Sequence, residues 1–291
     1  MKGKLRLLIL FLAVVILATA CKSSGSDAPV ALPVLMYHHI ADEGDPSTII
    51  TEENFREHMA ALKEAGYNAV SFEQVIAYVN NGKKLPEKPI CITFDDGYMS
   101  NYEFAFPILK EFNMPATIFI IGCHVGKDNY KDTEHPITPH FSYEQAAEMI
   151  ESGIISIQSH TYDMHQWPAF EQNTPIRDNV LKLPDETTDE YTEILTNDFN
   201  ILKDEVLMHA GAEVNVLAYP GGMYDELSES TLKALGLKVT VTSDFGANLI
   251  SRKDPDCLFA MKRCNIATEI TPSDLLWLVD EAIRQSQPPE E

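Results

Sequence analysis

The chain has 291 residues, of which 45% are apolar and 23% are charged, a balance that excludes an intrinsically disordered chain. One α/β barrel commonly fills about 250 residues, so a single domain accounts for this length. The formal net charge is −22, and a surface this acidic repels nucleic acid and suits a neutral or cationic substrate. We therefore expect no nucleic-acid partner, although an acidic surface can also serve solubility alone.

Residues 1–20 have the pattern of a lipoprotein signal peptide. A basic start, with Lys2, Lys4 and Arg6, is followed by an apolar run that is too short to span a bilayer comfortably. Small residues then precede Cys21, whose thiol we expect to carry a lipid that anchors the chain to the outer face of the cell membrane. Loss of the three cations with this segment takes the net charge to −25. Cleavage without lipid attachment is the alternative.

The rest of the chain divides into a tether, one folded domain and a tail. We expect a flexible tether at residues 21–32, a domain at residues 33–285 and a C-terminal tail at residues 286–291. The four cysteines of the domain match no zinc-binding spacing, so buried free thiols are expected. A disulfide between Cys257 and Cys264 stays open.

Segments with strand and helix patterns alternate from Pro33 onward. Strands are predicted at residues 34–37, 90–94, 116–121, 154–158, 216–219 and 239–242. Helices are predicted at residues 51–66, 102–112, 192–209 and 228–235. Three more helices are predicted from their caps: capping boxes begin two of them at Ser71 and Ser142, and Thr271 caps the last. Such alternation indicates a parallel sheet, and about seven strands favour its closure into a barrel. Residues 127–139 and 166–189 are predicted to form long surface loops, which often line functional sites.

Residues 93–97, Thr-Phe-Asp-Asp-Gly, place two carboxylates directly after a buried strand. Because successive side chains of a strand alternate, Asp95 and Asp96 point in different directions, and one can bind a metal while the other acts as a base. The C-terminal ends of parallel strands meet at one face, where active sites form in such folds. A simple Asp-Asp-Gly turn is the alternative interpretation of this segment alone.

Residues 159–165 carry two histidines, His160 and His165, five residues apart. Five residues turn a helix by about 500°, so the two side chains do not share a helical face and belong on a loop. Two imidazoles and one carboxylate are typical of a catalytic divalent metal with open positions. Asp163 could reach the same ion, but a second carboxylate would reduce its Lewis acidity, so His165 is favoured.

Two further segments follow predicted strands. Tyr37 is followed by His38 and His39, and adjacent strand residues face opposite ways, so at most one of the two imidazoles readily faces a site. Residues 218–222, Ala-Tyr-Pro-Gly-Gly, form the other segment. Its glycines allow bare backbone N–H groups to approach a substrate oxygen closely.

Together, these four segments resemble the polysaccharide deacetylases of carbohydrate esterase family four, and the resemblance runs from about residue 33 to residue 283. Residues 93–97 match the first motif of that family in full, and His160 opens the second motif. The spacing to His165 is similar to that of the subgroup that deacetylates β-1,6-linked poly-N-acetylglucosamine in biofilms. That subgroup also begins with a strand that ends in Tyr-His.

The resemblance implies a distorted (β/α) barrel that hydrolyses the acetamide groups of a polysaccharide. It implies that Asp96, His160 and His165 bind a divalent metal, with Zn²⁺ as the expected ion and Co²⁺ or Ni²⁺ as alternatives. It also assigns catalytic roles to Asp95 as the base and His38 as the acid, and substrate or oxyanion contacts to Gly221 and Tyr219.

Two departures from the family pattern concern the catalytic base and acid. Ala218 stands where the family carries an arginine that tethers the base, and the stretch 261–264 lacks the usual catalytic histidine. His38, rather than His39, is the replacement that the biofilm subgroup implies.

The expected partner is an acetylated polysaccharide, and the chain is expected to act as a monomer. Two rival functions stay open. The same site could remove N-acetyl groups from peptidoglycan or O-acetyl groups from xylan, and the chain could instead be a non-catalytic glycan-binding lipoprotein. The intact set of metal ligands and base argues against the second rival, because a binding protein needs neither.

Overall fold

The structure is a computed structural model that describes residues 28–287, and eleven strands occur in this part of the chain. They are β1 (Val30–Tyr37), β2 (His39–Ile40), β3 (Ile49–Ile50), β4 (Asn68–Ala69), β5 (Pro89–Phe94), β6 (Ala116–Ile120), β7 (Ile155–Ser159), β8 (Val216–Ala218), β9 (Val239–Phe245), β10 (Ala247–Ile250) and β11 (Met261–Asn265). Seven of the parallel strands, β1, β5 to β9 and β11, are hydrogen-bonded side by side in one sheet. They close into a barrel because β1 bonds to both β5 and β11. The expected single-domain α/β barrel is confirmed.

Seven α-helices occur in the same part of the chain. They are α1 (Glu52–Glu64), α2 (Phe72–Asn81), α3 (Phe106–Phe112), α4 (Tyr143–Glu151), α5 (Thr188–Ala210), α6 (Glu226–Ala234) and α7 (Pro272–Ser286). A π-helical turn, Asn101–Ala105, leads into α3, and 3₁₀ turns lie at Gly122–His124, Pro220–Gly222 and Pro255–Leu258. Ser71 and Ser142 cap α2 and α4 in reciprocal capping boxes, as the sequence predicted.

The side chains of each barrel strand alternate between two apolar layers. On β5, Ile92 and Phe94 pack with the surrounding helices, whereas Cys91 joins a second cluster that fills the barrel. Thr93 and Asp95 share the inward direction of Cys91, because side chains two residues apart lie on one face. The interior therefore changes from apolar to polar toward the C-terminal ends of the strands, and the candidate site lies at that end.

Among the boundaries that differ from those predicted from the sequence, two have a clear physical reason. Helix α5 begins at Thr188, four residues earlier than predicted, because Thr187 and Glu190 form a capping box that the sequence analysis overlooked. Strand β1 begins at Val30, so the last residues assigned to the tether belong to the fold. Their backbone pairs with the antiparallel strand β10, which was not predicted; Val30 lies opposite Ile250.

The predicted signal peptide and Cys21 lie outside the described residues, as do residues 22–27 and 288–291. Within residues 28–287, no helix is both long enough and apolar enough to cross a membrane. The four cysteines in this part of the chain are free thiols, so Cys257 and Cys264 are not paired.

Candidate active site

Three side chains from two strand ends meet at the mouth of the barrel. Asp96 follows β5, and its Oδ1 lies 3.5 Å from His160 Nε2 and 3.8 Å from His165 Nε2. One ligand atom from each residue lies within 4.8 Å of the others. One carboxylate and two imidazoles, so placed, are a donor set that suits a divalent metal with open positions.

A hydrogen bond to the backbone fixes the orientation of the His160 ring. Its Nδ1 donates a hydrogen bond of 2.8 Å to the carbonyl oxygen of Ala218, which leaves the lone pair of Nε2 directed at Asp96. Burial lowers the pKa of His160 to about 4, so the imidazole is neutral at physiological pH. A neutral imidazole is the form that binds a metal, and the residues present therefore fit a metal ion.

Backbone conformation also shapes the site. Asp96 and Thr161 both have a φ of 71°, in the left-handed region that residues other than glycine rarely adopt. Gly97 has a φ of 81°, and a Cβ there would lie 2.9 Å from a side-chain carbon of Ile120. The chain thus turns sharply after both Asp95 and His160, and such backbone strain is typical of functional sites.

Asp163 does not compete with His165 for the ion. Its carboxylate forms an ion pair with Lys131 at 2.7 Å, and it is not part of the three-residue cluster. The backbone N–H groups of Tyr162 and Asp163 donate to the two carboxylate oxygens of Asp198, at 2.8 and 2.7 Å. Helix α5 therefore holds the loop between the two histidines through one buried carboxylate.

Asp95 points into the barrel and meets Arg263 of β11. The two nitrogens Nη1 and Nη2 donate to Oδ1 and Oδ2 of Asp95, both at 2.7 Å. Arg263 is only 1% exposed, and its Nε donates to the carbonyl oxygen of Thr242 at 2.7 Å. Burial by itself would raise the pKa of Asp95. The positive charge of Arg263 outweighs that effect and holds the pKa below its usual value, so the carboxylate stays ionised.

His38 and His39 face different surroundings. The Nε2 of His38 lies 3.9 Å from Oδ2 of Asp95, so this imidazole borders the candidate site. The Nδ1 of His39 instead forms a 2.7 Å hydrogen bond with the hydroxyl of Ser100. The structure thus brings His38, and not His39, to the carboxylate proposed as the base.

In the segment after β8, Gly221 has a free backbone donor among the described residues, whereas the donors of Tyr219 are used inside the fold. The N–H of Gly221 has no acceptor within residues 28–287, and a φ of 60° turns the backbone there. Tyr219, which we had placed among the substrate contacts, is fully buried. Its N–H donates to Val241, and its hydroxyl donates to Glu229. The assignment of Tyr219 to the substrate is therefore wrong, because both of its donors are used inside the fold.

Comparison with known proteins identifies the family. The sequence pattern of the family described as polysaccharide deacetylase matches residues 82–240, more than half of the chain. The chain belongs to the polysaccharide deacetylase family. It is accordingly a hydrolase that acts on an acetylated polysaccharide, and its Asp-His-His set agrees with the divalent metal site typical of the family.

Individual relatives agree with this assignment. The deacetylase is 30% identical over 225 residues to YxkH of Bacillus subtilis (strain 168), which bears the name of a polysaccharide deacetylase; the match covers 76% of this chain and 68% of YxkH. It is also 30% identical over 240 residues to the poly-β-1,6-N-acetyl-D-glucosamine N-deacetylase of Escherichia coli (strain K12). That match covers 76% of this chain but 35% of the E. coli protein.

A solved structure supports the same fold. The de-N-acetylase from Aggregatibacter actinomycetemcomitans superposes on the deacetylase with a TM-score of 0.72 at 25% sequence identity. The match covers 86% of this chain and all of that one. The closed parallel barrel is therefore the architecture of related deacetylases.

Two functional residues escaped the sequence analysis. Ala218 stands where the family carries the arginine that tethers the proposed base. Arg263 of β11 binds Asp95 instead. Its signal was an arginine on the inward face of a strand, two residues after the buried Met261. The signal for Asp198 was its position three residues after Leu195, which places a carboxylate on the buried face of α5. A charged side chain at a core position predicts that a buried group pairs with it. The groups that pair with Arg263 and Asp198 could not be identified from sequence spacing alone.

We expect the Asp95–Arg263 pair to dominate local stability. Arg263→Met leaves Asp95 ionised and unpaired in the barrel, so it should lower the free energy of unfolding by about 3–5 kcal/mol. The double variant Asp95→Leu/Arg263→Met removes both charges and should lose much less. Chemical denaturation measures both effects.

Arg284→Met is the matched control, because Arg284 is paired with Glu281 on the surface and its side chain is 72% exposed. This control should change the stability by less than about 0.5 kcal/mol. An Arg263→Met variant as stable as the control, or a double variant less stable than the single one, would contradict the buried-pair account.

Proposed function

We propose that this deacetylase removes N-acetyl groups from β-1,6-linked poly-N-acetylglucosamine and releases acetate, with Zn²⁺ at Asp96, His160 and His165. The observation that carries the proposal is the metal-ligand set beside an ionised carboxylate and a separate imidazole. Such an arrangement supplies a base and an acid for amide hydrolysis. The similarity to the E. coli N-deacetylase over 240 residues supports the choice of polymer.

Each residue of the site has one task in the proposed reaction. Asp96, His160 and His165 would hold a divalent ion, which would supply Lewis acidity to the acetyl carbonyl and to the attacking water. Asp95 accepts the proton of the attacking water, and Arg263 keeps that carboxylate in place. The N–H of Gly221 donates to the carbonyl oxygen as negative charge develops there. His38 donates a proton to the leaving amine, which is otherwise a poor leaving group.

The pattern of residues 1–20 supports a location for this activity. We propose that a lipid on Cys21 anchors the enzyme to the outer face of the cell membrane, with the barrel beginning at Val30. A tether of fewer than ten residues keeps the enzyme close to that membrane and to a cell-surface polysaccharide.

Acetate release is the direct test of the proposed activity. We expect the purified enzyme to release acetate from poly-β-1,6-N-acetylglucosamine faster than from chitooligosaccharide, peptidoglycan or acetylated xylan. Chelation should abolish the release, and Zn²⁺ or Co²⁺ should restore it. Full activity after exhaustive chelation, with the absence of metal confirmed by elemental analysis, would rule out the mechanism. A faster release from another polymer would correct the substrate.

The role of His38 has its own test. Loss of a general acid costs about 10²–10⁴-fold in rate, so His38→Ala should lower kcat by that order. The bound metal should be unchanged, because His38 is not a ligand. His209→Ala is the control, since His209 is exposed near the end of α5 and its ring stacks on Tyr143 rather than on a residue of the site. Normal turnover in folded His38→Ala would place the acid elsewhere.

Membrane attachment is tested by Cys21→Ser. This variant should leave the membrane fraction or stay unprocessed, because serine offers no thiol for the lipid. Fractionation of cells followed by mass spectrometry of the N-terminus measures both outcomes. A variant that still sediments with membranes in processed form would show that Cys21 is not the anchor.

A further inference from the structure

The two histidines of the metal set are held in different ways. Nδ1 of His160 donates to the carbonyl oxygen of Ala218 at 2.8 Å, so a hydrogen bond fixes that ring directly. Nδ1 of His165 is buried, and it has no hydrogen-bond partner among residues 28–287. The second ring nitrogen of a metal-binding histidine normally donates to a group that fixes the orientation of the ring. The placement of His165 therefore depends on the loop that carries it.

Lys131, from the loop at residues 127–139, contacts that chain segment on both sides of His165. Its Nζ lies 2.7 Å from Oδ1 of Asp163, two residues before the histidine. The same Nζ forms an ion pair with Glu171, six residues after the histidine. The side chain of Glu171 is only 1% exposed. Because a buried carboxylate requires a partner, the pair with Glu171 fixes the ammonium group in the place where it also binds Asp163.

Tyr130 reinforces the contact that Lys131 makes. The Tyr130 hydroxyl donates to Oε2 of Glu171 at 3.0 Å and accepts from the backbone N–H of Trp167 at 3.2 Å. The rings of Tyr130 and Trp167 also stack, with 6.1 Å between their centres. Trp167 is the second residue after His165. Two adjacent residues of one loop therefore hold the chain close to the histidine, both before and after it.

The backbone at Lys131 has an unusual conformation. Its φ of 49° lies in the left-handed region that residues other than glycine rarely adopt. Two backbone hydrogen bonds support this turn: the N–H of Tyr130 donates to the carbonyl oxygen of His135 at 2.8 Å, and the N–H of Thr133 donates to that of Tyr130 at 3.0 Å. Such conformations persist where surrounding contacts determine them, and they are frequent at functional sites. The turn directs the Lys131 side chain to its two carboxylates.

We propose that Lys131 is the positioning residue of His165. Its ion pairs with Asp163 and Glu171 fix the loop, and Nε2 of His165 then faces Asp96 at 3.8 Å. A loop that is fixed in advance loses less conformational freedom when a metal binds, so the lysine raises the affinity for the metal. Lys131 acts through the two carboxylates and is not itself a member of the metal set. The role rests on the proposed function, because it assumes that this set binds a divalent ion.

Zinc affinity tests this role without any substrate. Lys131→Met keeps an unbranched side chain but removes the charge, so the dissociation constant for Zn²⁺ should rise about tenfold, as is usual when a group that orients a metal ligand is lost. Lys131→Arg keeps the charge and should retain most of the affinity. Lys127→Met is the matched control, because Lys127 lies on the same loop but pairs with the fully exposed Asp132 at 3.8 Å. The control should bind zinc like the wild type. Titration in competition with a chelating dye gives the constants, and equal losses in Lys131→Arg and Lys131→Met would contradict a role of the charge.

A double-mutant cycle with Asp163 separates positioning from a general loss of stability. Asp163→Asn leaves the buried pair of Lys131 with Glu171 intact and weakens the contact with the loop, so it should also raise the dissociation constant for Zn²⁺, by a smaller factor. In that background, Lys131→Met should cost less than it does in the wild type, because part of the contact is already lost. Thermal melting of the chelated proteins verifies that each variant is folded. Zinc affinity unchanged in Asp163→Asn, or full additivity of the two changes, would overturn the role.

The outcomes distinguish this role from the proposed function. If the wild type binds zinc and releases acetate while Lys131→Met binds zinc as tightly as Lys127→Met, the role of Lys131 is wrong and the function stands. If Lys131→Met loses zinc affinity as expected but the zinc-loaded wild type releases no acetate from any of the polymers, the proposed function fails and the role stands. A wild type that binds no zinc overturns both.

Discussion

A carboxylate and a guanidinium face each other inside the barrel, almost without contact with solvent. Two charges buried in that position are stable only if their mutual attraction compensates for the loss of hydration. The two parallel hydrogen bonds between Asp95 and Arg263 provide that attraction. The pair fixes Asp95 inward and ionised. Because adjacent side chains of a strand end diverge, Asp96 is then left to face His160 and His165. Two neighbouring carboxylates thereby acquire different tasks, one as the proposed base and one as a proposed metal ligand.

Other parts of the fold keep the metal set in place beside the ion pair of Asp95 and Arg263. The carbonyl of Ala218 on β8 orients His160, and Asp198 on α5 holds the loop that leads to His165. Left-handed backbone at Asp96 and Thr161 costs roughly 1–3 kcal/mol each and persists because the surrounding packing determines it. The ligands therefore lie at strand ends and on a loop that Asp198 holds in place, and the barrel determines the separation between the proposed base and the metal set.

The sequence predicted the barrel from local pattern, whereas the metal set rests on that pattern together with the family resemblance, and the choice of His38 over His39 rests on the resemblance. Alternating strands and helices indicate the fold, and strand ends indicate the face on which His160 and His165 meet. The partner of Asp95 was beyond such reasoning, because Arg263 is 168 residues away and meets it only when the barrel closes. Tyr219 was misassigned for a similar reason: the motif places it near the site, but burial against β9 and Glu229 depends on tertiary packing. Strand β10 was also missed, since its pairing with β1 is long-range.

The central claim is that Asp95 is withheld from the metal while Asp96, His160 and His165 bind it. A crystal structure of the zinc-loaded enzyme, with anomalous scattering recorded at the zinc absorption edge, tests this claim most directly. The account predicts one strong peak at about 2.0–2.2 Å from an oxygen of Asp96 and from Nε2 of each histidine, with Asp95 still paired to Arg263. A peak coordinated by Asp95 or by Asp163 in place of these ligands would contradict it.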